Sequence, residues 1–214
     1  MLILSVDTST SAGSVAIIED KDLVGELYLQ LKTTHSERVL NTIDTLLEFS
    51  RIDITDIDIF VASLGPGSFT GIRIGLSILK GFAAVSKKPL VGISSLDALA
   101  MEFKGEGEFA AFIEGRREEV FYSVYRKMGG DLKQIQDYSV ANREIIKTFP
   151  KNIGVFNSND FFNFSLKGNL FAHNFALLGY KKFISTEDKS IFQGINILPM
   201  YLKKSDAEIK QNQR

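Results

Sequence analysis

The chain has no cysteine among its 214 residues and contains two histidines, His35 and His173. The lack of cysteine excludes disulfides, thiolate zinc sites and a cysteine nucleophile. The histidines are far apart in sequence and neither has a carboxylate at ligand spacing, which disfavours a metal site or a serine–histidine pair. A Gly-x-Ser-x-Gly sequence is also missing, so serine hydrolase chemistry has no support.

The chain also lacks an excess of positive or negative charge, and it has no long apolar run. The 25 basic and 26 acidic side chains give a net charge of −1, which argues against a protein that holds nucleic acid unaided. Met1 leads directly into a strand and Asp7 interrupts its apolar run, so no signal peptide is visible. No run approaches the roughly 18 apolar residues that span a membrane. We expect a soluble cytoplasmic protein without a membrane partner.

The chain is long enough for one domain or two small ones, and its first part follows the order β-β-β-α-β-α. Short apolar runs close together suit an antiparallel meander, and a strand–helix–strand unit implies a right-handed crossover with parallel pairing. The predicted strands are 2–6, 14–18, 23–31, 57–64 and 89–93, and the predicted helices are 36–49 and 70–86.

A segment rich in Gly, Glu and Lys at 103–108 predicts a boundary between residues 1–104 and 105–214, and we expect that the tail of the second part can pack back on the first. The second part repeats short apolar runs, with a hairpin signal at Met128-Gly129-Gly130-Asp131. Asn142 is suited to cap a helix that ends near residue 149. The remaining predicted elements are strands at 109–113, 120–125, 132–140 and 153–156, and a helix at 170–178. No internal repeat is visible in the residues themselves.

The most distinctive run is Gly65-Pro66-Gly67-Ser68-Phe69-Thr70-Gly71-Ile72-Arg73-Ile74-Gly75, between a strand and a helix. A dinucleotide fingerprint would need glycine at Thr70, and a P-loop would need a Gly-Lys-Ser/Thr triplet. The pattern therefore favours a tight turn with close packing over nucleotide binding by this loop alone. Gly71 and Gly75 each cost the helix about 1 kcal/mol relative to alanine, which predicts that another backbone lies very close.

This loop resembles the signature of the TsaB (YeaZ) family. Other matching segments occur in the same order along the chain: Asp7-Thr8-Ser9, His35-Ser36-Glu37, Glu114 to Phe121, Pro199-Met200-Tyr201-Leu202 and Ala207-Glu208. The resemblance spans nearly the whole chain, although 125–195 carries no recognisable motif. It implies an α/β, actin-like (ASKHA, ribonuclease H-like) fold with a duplicated β-β-β-α-β-α architecture in two subdomains, the second one degraded.

The resemblance also implies a role without catalysis. Members bind TsaD, the related enzyme that transfers threonylcarbamoyl from threonylcarbamoyl-AMP to the adenosine next to the anticodon of tRNA. TsaE, an ATPase, completes the complex, and tRNA is a partner only within it. TsaD carries a metal-binding His-x-x-x-His, whereas Ser95 and Leu99 stand at the matching positions here. The resemblance thus implies no metal site and no cofactor of its own, with ATP or ADP and magnesium at the contact between chains.

Two groups of candidate residues follow from these patterns. The two long helices each have a second apolar face, and the family pairs through them with itself and with TsaD; the second subdomain or the first helix could instead cover that face. The predicted interface residues are Val39, Thr42, Ile43, Leu46, Gly71, Ile74, Gly75, Ile78 and Phe82. On this interpretation Gly75→Arg abolishes pairing and leaves the monomer folded.

The second group contains the candidates for contact with a phosphate: Asp7, Thr8, Ser9, Gly65 and Gly67. The resemblance allows a nucleotide-facing Asp7 with hydroxyls beside it, but an Asx or Ser/Thr turn explains the same residues, and both interpretations stay open. A stand-alone actin-fold enzyme that uses ATP on a small substrate is the alternative function. It would need a second phosphate loop, and the glycines of the second part are isolated.

Overall fold

The computed structural model describes residues 1–30, 35–155 and 166–202. The first part folds as predicted, into three strands, a helix, a strand, a helix and a strand. The elements are β1 (Leu2–Asp7), β2 (Gly13–Glu19), β3 (Asp22–Leu29), α1 (His35–Ser50), β4 (Ile59–Ser63), α2 (Phe69–Ser86) and β5 (Leu90–Ile93). Their sheet has the order β3-β2-β1-β4-β5. β1, β2 and β3 are antiparallel neighbours, and β4 and β5 run parallel to β1.

The second part contains a second five-stranded sheet. Its elements are α3 (Ser95–Ala100), β6 (Gly107–Glu114), β7 (Glu119–Met128), β8 (Asp131–Asn142), β9 (Asn152–Val155), β10 (Leu166–Lys167) and α4 (Ala172–Ser185). The order is β8-β7-β6-β9-β10, again three antiparallel strands followed by two parallel ones. This is the order of the first sheet, so the duplicated architecture is confirmed by topology although the residues show no repeat.

Three short elements differ from the sequence prediction. The segment after Asn142 forms a 3-10 turn, Arg143–Thr148, in place of the predicted helix. The cap itself is as predicted, because the Asn142 side chain accepts a hydrogen bond from the Glu144 amide at 3.0 Å. The nine residues between β8 and β9 leave little room for a regular helix. α3 and β10 were not predicted, since six and two residues carry little periodic signal.

The first sheet is covered on both faces by helices from different parts of the chain. α1 and α2 pack on one face, where residues such as Val39, Phe60 and Leu79 form a core. α4 packs on the opposite face, where Phe175 meets residues of β1 and β4. The predicted boundary assigns α4 to the second part, yet α4 and the segment after it contact the first sheet. The Met200 amide, for example, donates to the Leu64 carbonyl at 2.8 Å.

α2 is more apolar than the sequence reading suggested. Its 18 residues have a mean hydropathy of 1.3, so by length and composition it could cross a bilayer. Core helices of soluble domains meet the same criterion. One third of α2 is buried within the chain, and the buried residues that pack on the sheet include Ile72, Leu76, Leu79 and Ala83. Much of its apolar surface therefore faces outward.

Candidate functional site

The hairpin after β1 is locked onto the loop that leads into α2. The Thr8 hydroxyl donates to the Gly71 carbonyl at 2.7 Å, and the Ser68 amide donates to the Ser9 carbonyl at 2.6 Å. Ser68 is also the N-cap of α2, where its hydroxyl accepts a hydrogen bond from the Gly71 amide at 3.2 Å. Two of the loop's amides thus already have partners within the chain.

The glycines of this loop are required by the same hairpin. A Cβ atom would lie 2.0 Å from the Thr8 carbonyl oxygen at Gly71, and 2.5 Å from the Thr8 hydroxyl at Gly75. At Gly67 it would lie 2.1 Å from the Ser9 carbonyl oxygen, and the backbone there has a φ of 154°. These distances leave no room for a side chain. The predicted close approach of another backbone is therefore confirmed at Gly71, where that backbone belongs to the chain itself, whereas at Gly75 the close group is the Thr8 side chain.

Asp7 is buried beneath this junction, with 1% of its surface exposed. Its carboxylate accepts a hydrogen bond from the Ser9 amide at 3.1 Å, which is the geometry of an Asx turn. Burial raises the pKa of Asp7 to about 6, while hydrogen bonds from Ser9, Ser63 and Thr8 partly offset that effect. The turn is thus present, and whether Asp7 also faces a nucleotide stays a prediction.

A narrow cleft lies beside Asp7, between the first hairpin and α1. Its lining includes Ser14, Leu29, Arg38 and Thr42. The Arg38 guanidinium, 8% exposed, donates to the Ser11 carbonyl at 2.7 Å. A carboxyl and a guanidinium therefore line one narrow cleft whose exposed lining is otherwise largely apolar.

Ser95 and Leu99 both have structural contacts. The Ser95 amide donates to the Gly65 carbonyl, and the Ser95 and Ser63 hydroxyl oxygens lie 2.8 Å apart. Leu99 is fully buried in the core between the two sheets. Within the described ranges, no three His, Cys, Asp or Glu side chains are grouped in a way that could hold a metal ion.

The predicted interface face needs a correction. Val39, Ile43 and Leu46 are 2–4% exposed and point into the core against the sheet. Thr42 is also buried, and its hydroxyl donates to the Arg38 carbonyl at 2.8 Å. Gly71 and Gly75 face the hairpin, so Gly75→Arg would disrupt the fold and cannot test an interface. The sequence could not separate the inner from the outer face because both helices are apolar on two sides.

The outer face keeps Ile74, Ile78 and Phe82, which are half-buried. The structure adds Val85, exposed by 88%, which sequence reasoning missed. On α1, Leu40 and Phe49 are exposed by 51% and 80% but lie on opposite sides of that helix, because they are nine residues apart. Gly81 lies on the same side of α2 as Ile74, Ile78 and Val85, and no atom of the described chain would lie within 4 Å of a Cβ there. Its helical spacing from Ile74 and Ile78 is the signal that could have identified it. We call this surface the outer helix face.

One end of the outer helix face carries a stacked arginine. The Arg73 guanidinium carbon lies 3.9 Å from the centre of the Phe69 ring, and its Nε donates to the Tyr201 hydroxyl at 2.9 Å. The two rings stack with their centres 5.0 Å apart. Tyr201 belongs to the C-terminal segment that resembles the TsaB signature, and the rest of that signature, Ala207-Glu208, lies outside the described residues. This contact was not predicted.

Two polar clusters join the parts of the chain. Asp97 in α3 accepts hydrogen bonds from the Tyr125 and Tyr138 hydroxyls at 2.7 and 2.8 Å, and burial raises its pKa. Glu26 in β3 lies 2.8 Å from the His173 ring nitrogen Nδ1 and also accepts from the His173 amide. His173 therefore has an ion-pair partner at the start of α4.

The family model of TsaD, tRNA N6-adenosine threonylcarbamoyltransferase, matches residues 30–189. The tRNA threonylcarbamoyladenosine biosynthesis protein TsaB of Escherichia coli is 35% identical over 130 residues, 59% of this chain and 56% of that protein. The TsaB protein of Haemophilus influenzae is 35% identical over 153 residues, 68% and 62% of the two chains. The matched segments thus span about three fifths of the length of these relatives.

Solved structures agree on the fold. A structure of YeaZ from Pseudomonas aeruginosa superposes with a TM-score of 0.76 at 22% identity, and the match covers 94% of this chain and 99% of that one. A second structure from the same organism, described as similar to the peptidase YEAZ, gives the same score at 23% identity. The two-sheet arrangement is therefore that of YeaZ. Together with the family model, these matches show that the chain belongs to the TsaB (YeaZ) family, which is related to TsaD.

Proposed function

We propose that this chain is a non-catalytic cytoplasmic subunit that binds TsaD. With TsaE and ATP, it supports transfer of threonylcarbamoyl from threonylcarbamoyl-AMP to the adenosine next to the anticodon in tRNA. The observation that carries the proposal is the outer helix face of α2, where the exposed Val85 lies beside the half-buried Ile74, Ile78 and Phe82. Buried apolar side chains of this size contribute about 1.5–3 kcal/mol each, so the face can supply much of a stable contact.

The residues around the first hairpin support a role without catalysis. Ser95 and Leu99, at the positions of the TsaD histidines, make structural contacts. The amides of Ser68 and Gly71 are bound within the chain, which reduces what the loop can offer a phosphate. A nucleotide with magnesium, if it takes part, would then depend on groups from TsaD at the contact between the chains.

Gly81 supports the location of the interface. Glycine in a helix interior costs about 1 kcal/mol relative to alanine, and nothing in the described chain explains the lack of a side chain here. A partner helix that packs closely over Gly81 would explain it. A self-dimer through the same face would compete with TsaD, because one patch can serve both contacts.

Light-scattering chromatography of the chain mixed with TsaD from the same organism tests the proposal. We expect a mixed species that Gly81→Arg abolishes while circular dichroism shows an unchanged fold. Ile184→Arg is the control, because Ile184 is an apolar residue that is 56% exposed and lies on α4, away from the outer helix face. Lack of association under any nucleotide condition would overturn the proposal, and ATP turnover by the chain alone would favour the stand-alone enzyme.

A further inference from the structure

The short helix α3 is attached to the second half of the molecule by its packing. It packs on β6, β7 and β9 of the second sheet and on α4. Five of its six residues are buried, and Leu99 lies in the core that the two sheets share. α3 therefore follows the position of the second sheet, although it precedes that sheet in the chain.

The third residue of α3 is fastened to two strands of the second sheet. Asp97 accepts hydrogen bonds from the hydroxyls of Tyr125 in β7 and Tyr138 in β8, one on each carboxylate oxygen. The chain just after α3 is held by the same sheet, because the Phe103 ring stacks on the Phe109 ring with the centres 3.9 Å apart. These contacts fix α3 to the second sheet both at its middle and beyond its end.

The first residue of α3 reaches the glycine loop, residues 65–68, of the first half. The Ser95 amide donates to the Gly65 carbonyl at 2.8 Å, and the Ser95 and Ser63 hydroxyl oxygens lie 2.8 Å apart. Both serines are buried, so water does not compete for these bonds. The loop ends at Ser68, the N-cap of α2. The segment that starts α2 is therefore held by a helix of the second half.

α3 is too short to absorb a shift between its two ends. Its six residues span about 9 Å, and none of them is a Pro or Gly, at which helices kink. A displacement of the second sheet by about 1 Å would carry Ser95 with it. That movement would stretch the 2.8 Å bond to Gly65 beyond the range of a hydrogen bond.

We propose that the second sheet positions the start of α2 through α3: Tyr125 and Tyr138 hold Asp97, and the same helix holds the glycine loop at Ser95. The two tyrosines are thus positioning residues for a loop that they do not touch. The inference concerns this chain alone and does not rest on the binding of TsaD. A coupling free energy between two sites acts in both directions, so releasing either end of α3 should be felt at the other.

Amide hydrogen exchange followed by NMR tests this coupling. Tyr125→Phe combined with Tyr138→Phe keeps both rings and removes both donors to Asp97. We expect the Ser68 and Ser95 amides to exchange at least about tenfold faster in this double variant, because the carboxyl that anchors α3 loses its partners. The amide of Ile17, in the middle of the first sheet, reports global unfolding and should change less.

Tyr122→Phe is the matched control on the same strand. The Tyr122 hydroxyl accepts a hydrogen bond from the Gln136 side chain, and its ring packs in the separate core around Phe112. The control also removes one phenol hydroxyl from the second sheet, but at a place that α3 does not contact. It should leave the exchange of Ser68 and Ser95 unchanged relative to that of Ile17.

Ser63→Ala tests the coupling from the other end. Alone, it removes the hydroxyl that meets Ser95 and should also speed exchange at Ser68. Combined with the two tyrosine changes, it should add less than its separate effect, because the link is already released. Ser5→Ala removes another buried hydroxyl of the first sheet, one that donates to the Ala172 carbonyl, and its effect should add in full.

Two results would overturn the inference. Equal acceleration at Ile17 and Ser68 in the double variant would show that the tyrosines serve only overall stability. Full additivity of Ser63→Ala with the tyrosine changes would show that α3 does not connect its two ends. If the double variant does not fold, Tyr138→Phe alone provides the same comparisons, since Tyr138 is the more exposed of the two rings.

Discussion

The two halves of the molecule share one strand order but treat the hairpin after their first strand differently. In the first half, Asp7, Thr8 and Ser9 are 1–2% exposed and are held by the loop before α2. In the second half, the turn between β6 and β7 lies at the surface, with Arg116 and Arg117 exposed. The first turn is part of the core, whereas the second is a surface turn.

The contacts of the second turn show what it lacks. The Gly115 amide donates to the Glu119 carbonyl at 2.9 Å, and the Arg143 amide donates to the Glu118 carbonyl at 2.7 Å. These bonds close the turn onto itself and onto the 3-10 segment after β8. The two halves therefore share a strand order but differ in the contacts of their first hairpins. Burial of the first hairpin depends on a helix with glycines at 71 and 75.

The largest expected difference in stability between the two hairpins concerns Gly71. Gly71→Ala places a Cβ atom against the Thr8 carbonyl and should cost at least about 3 kcal/mol of unfolding free energy, through overpacking of a rigid junction. Gly115→Ala in the second turn should cost about 1 kcal/mol, since its nearest atom is 3.0 Å away. Urea unfolding measures both. Equal costs would contradict the view that the first hairpin alone is locked.

The same experiment has an internal control within α2. Gly81→Ala adds a side chain where the described chain leaves space, so it should stabilise the monomer by up to about 1 kcal/mol. Destabilisation there would mean that the outer helix face is covered by the chain itself.

The next effect concerns the charge of Asp7. The pKa of Asp7 in the folded protein, about 6, exceeds the ordinary value of 3.8, so the protonated carboxyl favours folding. This contribution is fully present below pH 3.8 and is lost as the pH rises through 6. Asp7→Asn removes the titration. The stability of the variant relative to the wild type should rise by about 3 kcal/mol between pH 4 and pH 7. Urea unfolding at several pH values measures it, and parallel curves for the two proteins would rule out the buried charge.

A smaller effect should appear at the junction between the halves. Tyr125→Phe removes one of the two hydroxyls that donate to Asp97 and should cost about 1–3 kcal/mol, because a buried carboxyl loses a partner. Tyr138→Phe, at a more exposed ring, should cost less. Thermal unfolding compares the two variants, and a single transition in each would show that the halves unfold together. No loss in either variant would mean that Asp97 plays no part in joining them.

The smallest expected effect lies at His173. Its hydrogen bond with Glu26 raises its pKa, so the pair contributes stability that is present below about pH 6.5 and is lost as the pH rises through the raised value. Glu26→Gln should flatten this dependence, with a change below about 1 kcal/mol because the ring is partly exposed. NMR titration of the His173 ring in both proteins provides the measurement. An unchanged midpoint would contradict the pairing.

Sequence patterns predicted the first sheet well because its strands are short apolar runs and α2 has an apolar face at Ile72, Leu76 and Leu79, which is buried as expected. The sequence patterns also indicated that Asp7 and Thr8 lie near the glycine loop, because a strand end and a helix start meet at one sheet edge. They failed for α3 and β10, which are too short to show a period.

The outer helix face shows the other limit. Gly75 and Gly81 look alike in sequence, yet one meets Thr8 and the other meets no atom of the described chain. Only the position of the hairpin separates them. The contact between Arg73 and Tyr201 joins residues 128 positions apart, and no local pattern contains such a contact.

The return of α4 to the first sheet has a consequence for the order in which the molecule forms. Ser5 donates to the Ala172 carbonyl and Ser14 accepts from the Ala172 amide, across 167 and 158 positions. The face of the first sheet that α4 covers therefore stays exposed until α4 has left the ribosome. Contacts of such long range slow folding and expose apolar strands meanwhile. A nascent chain can thus assemble α1 and α2 on one face of the first sheet, and the emergence of α4 then completes the other face.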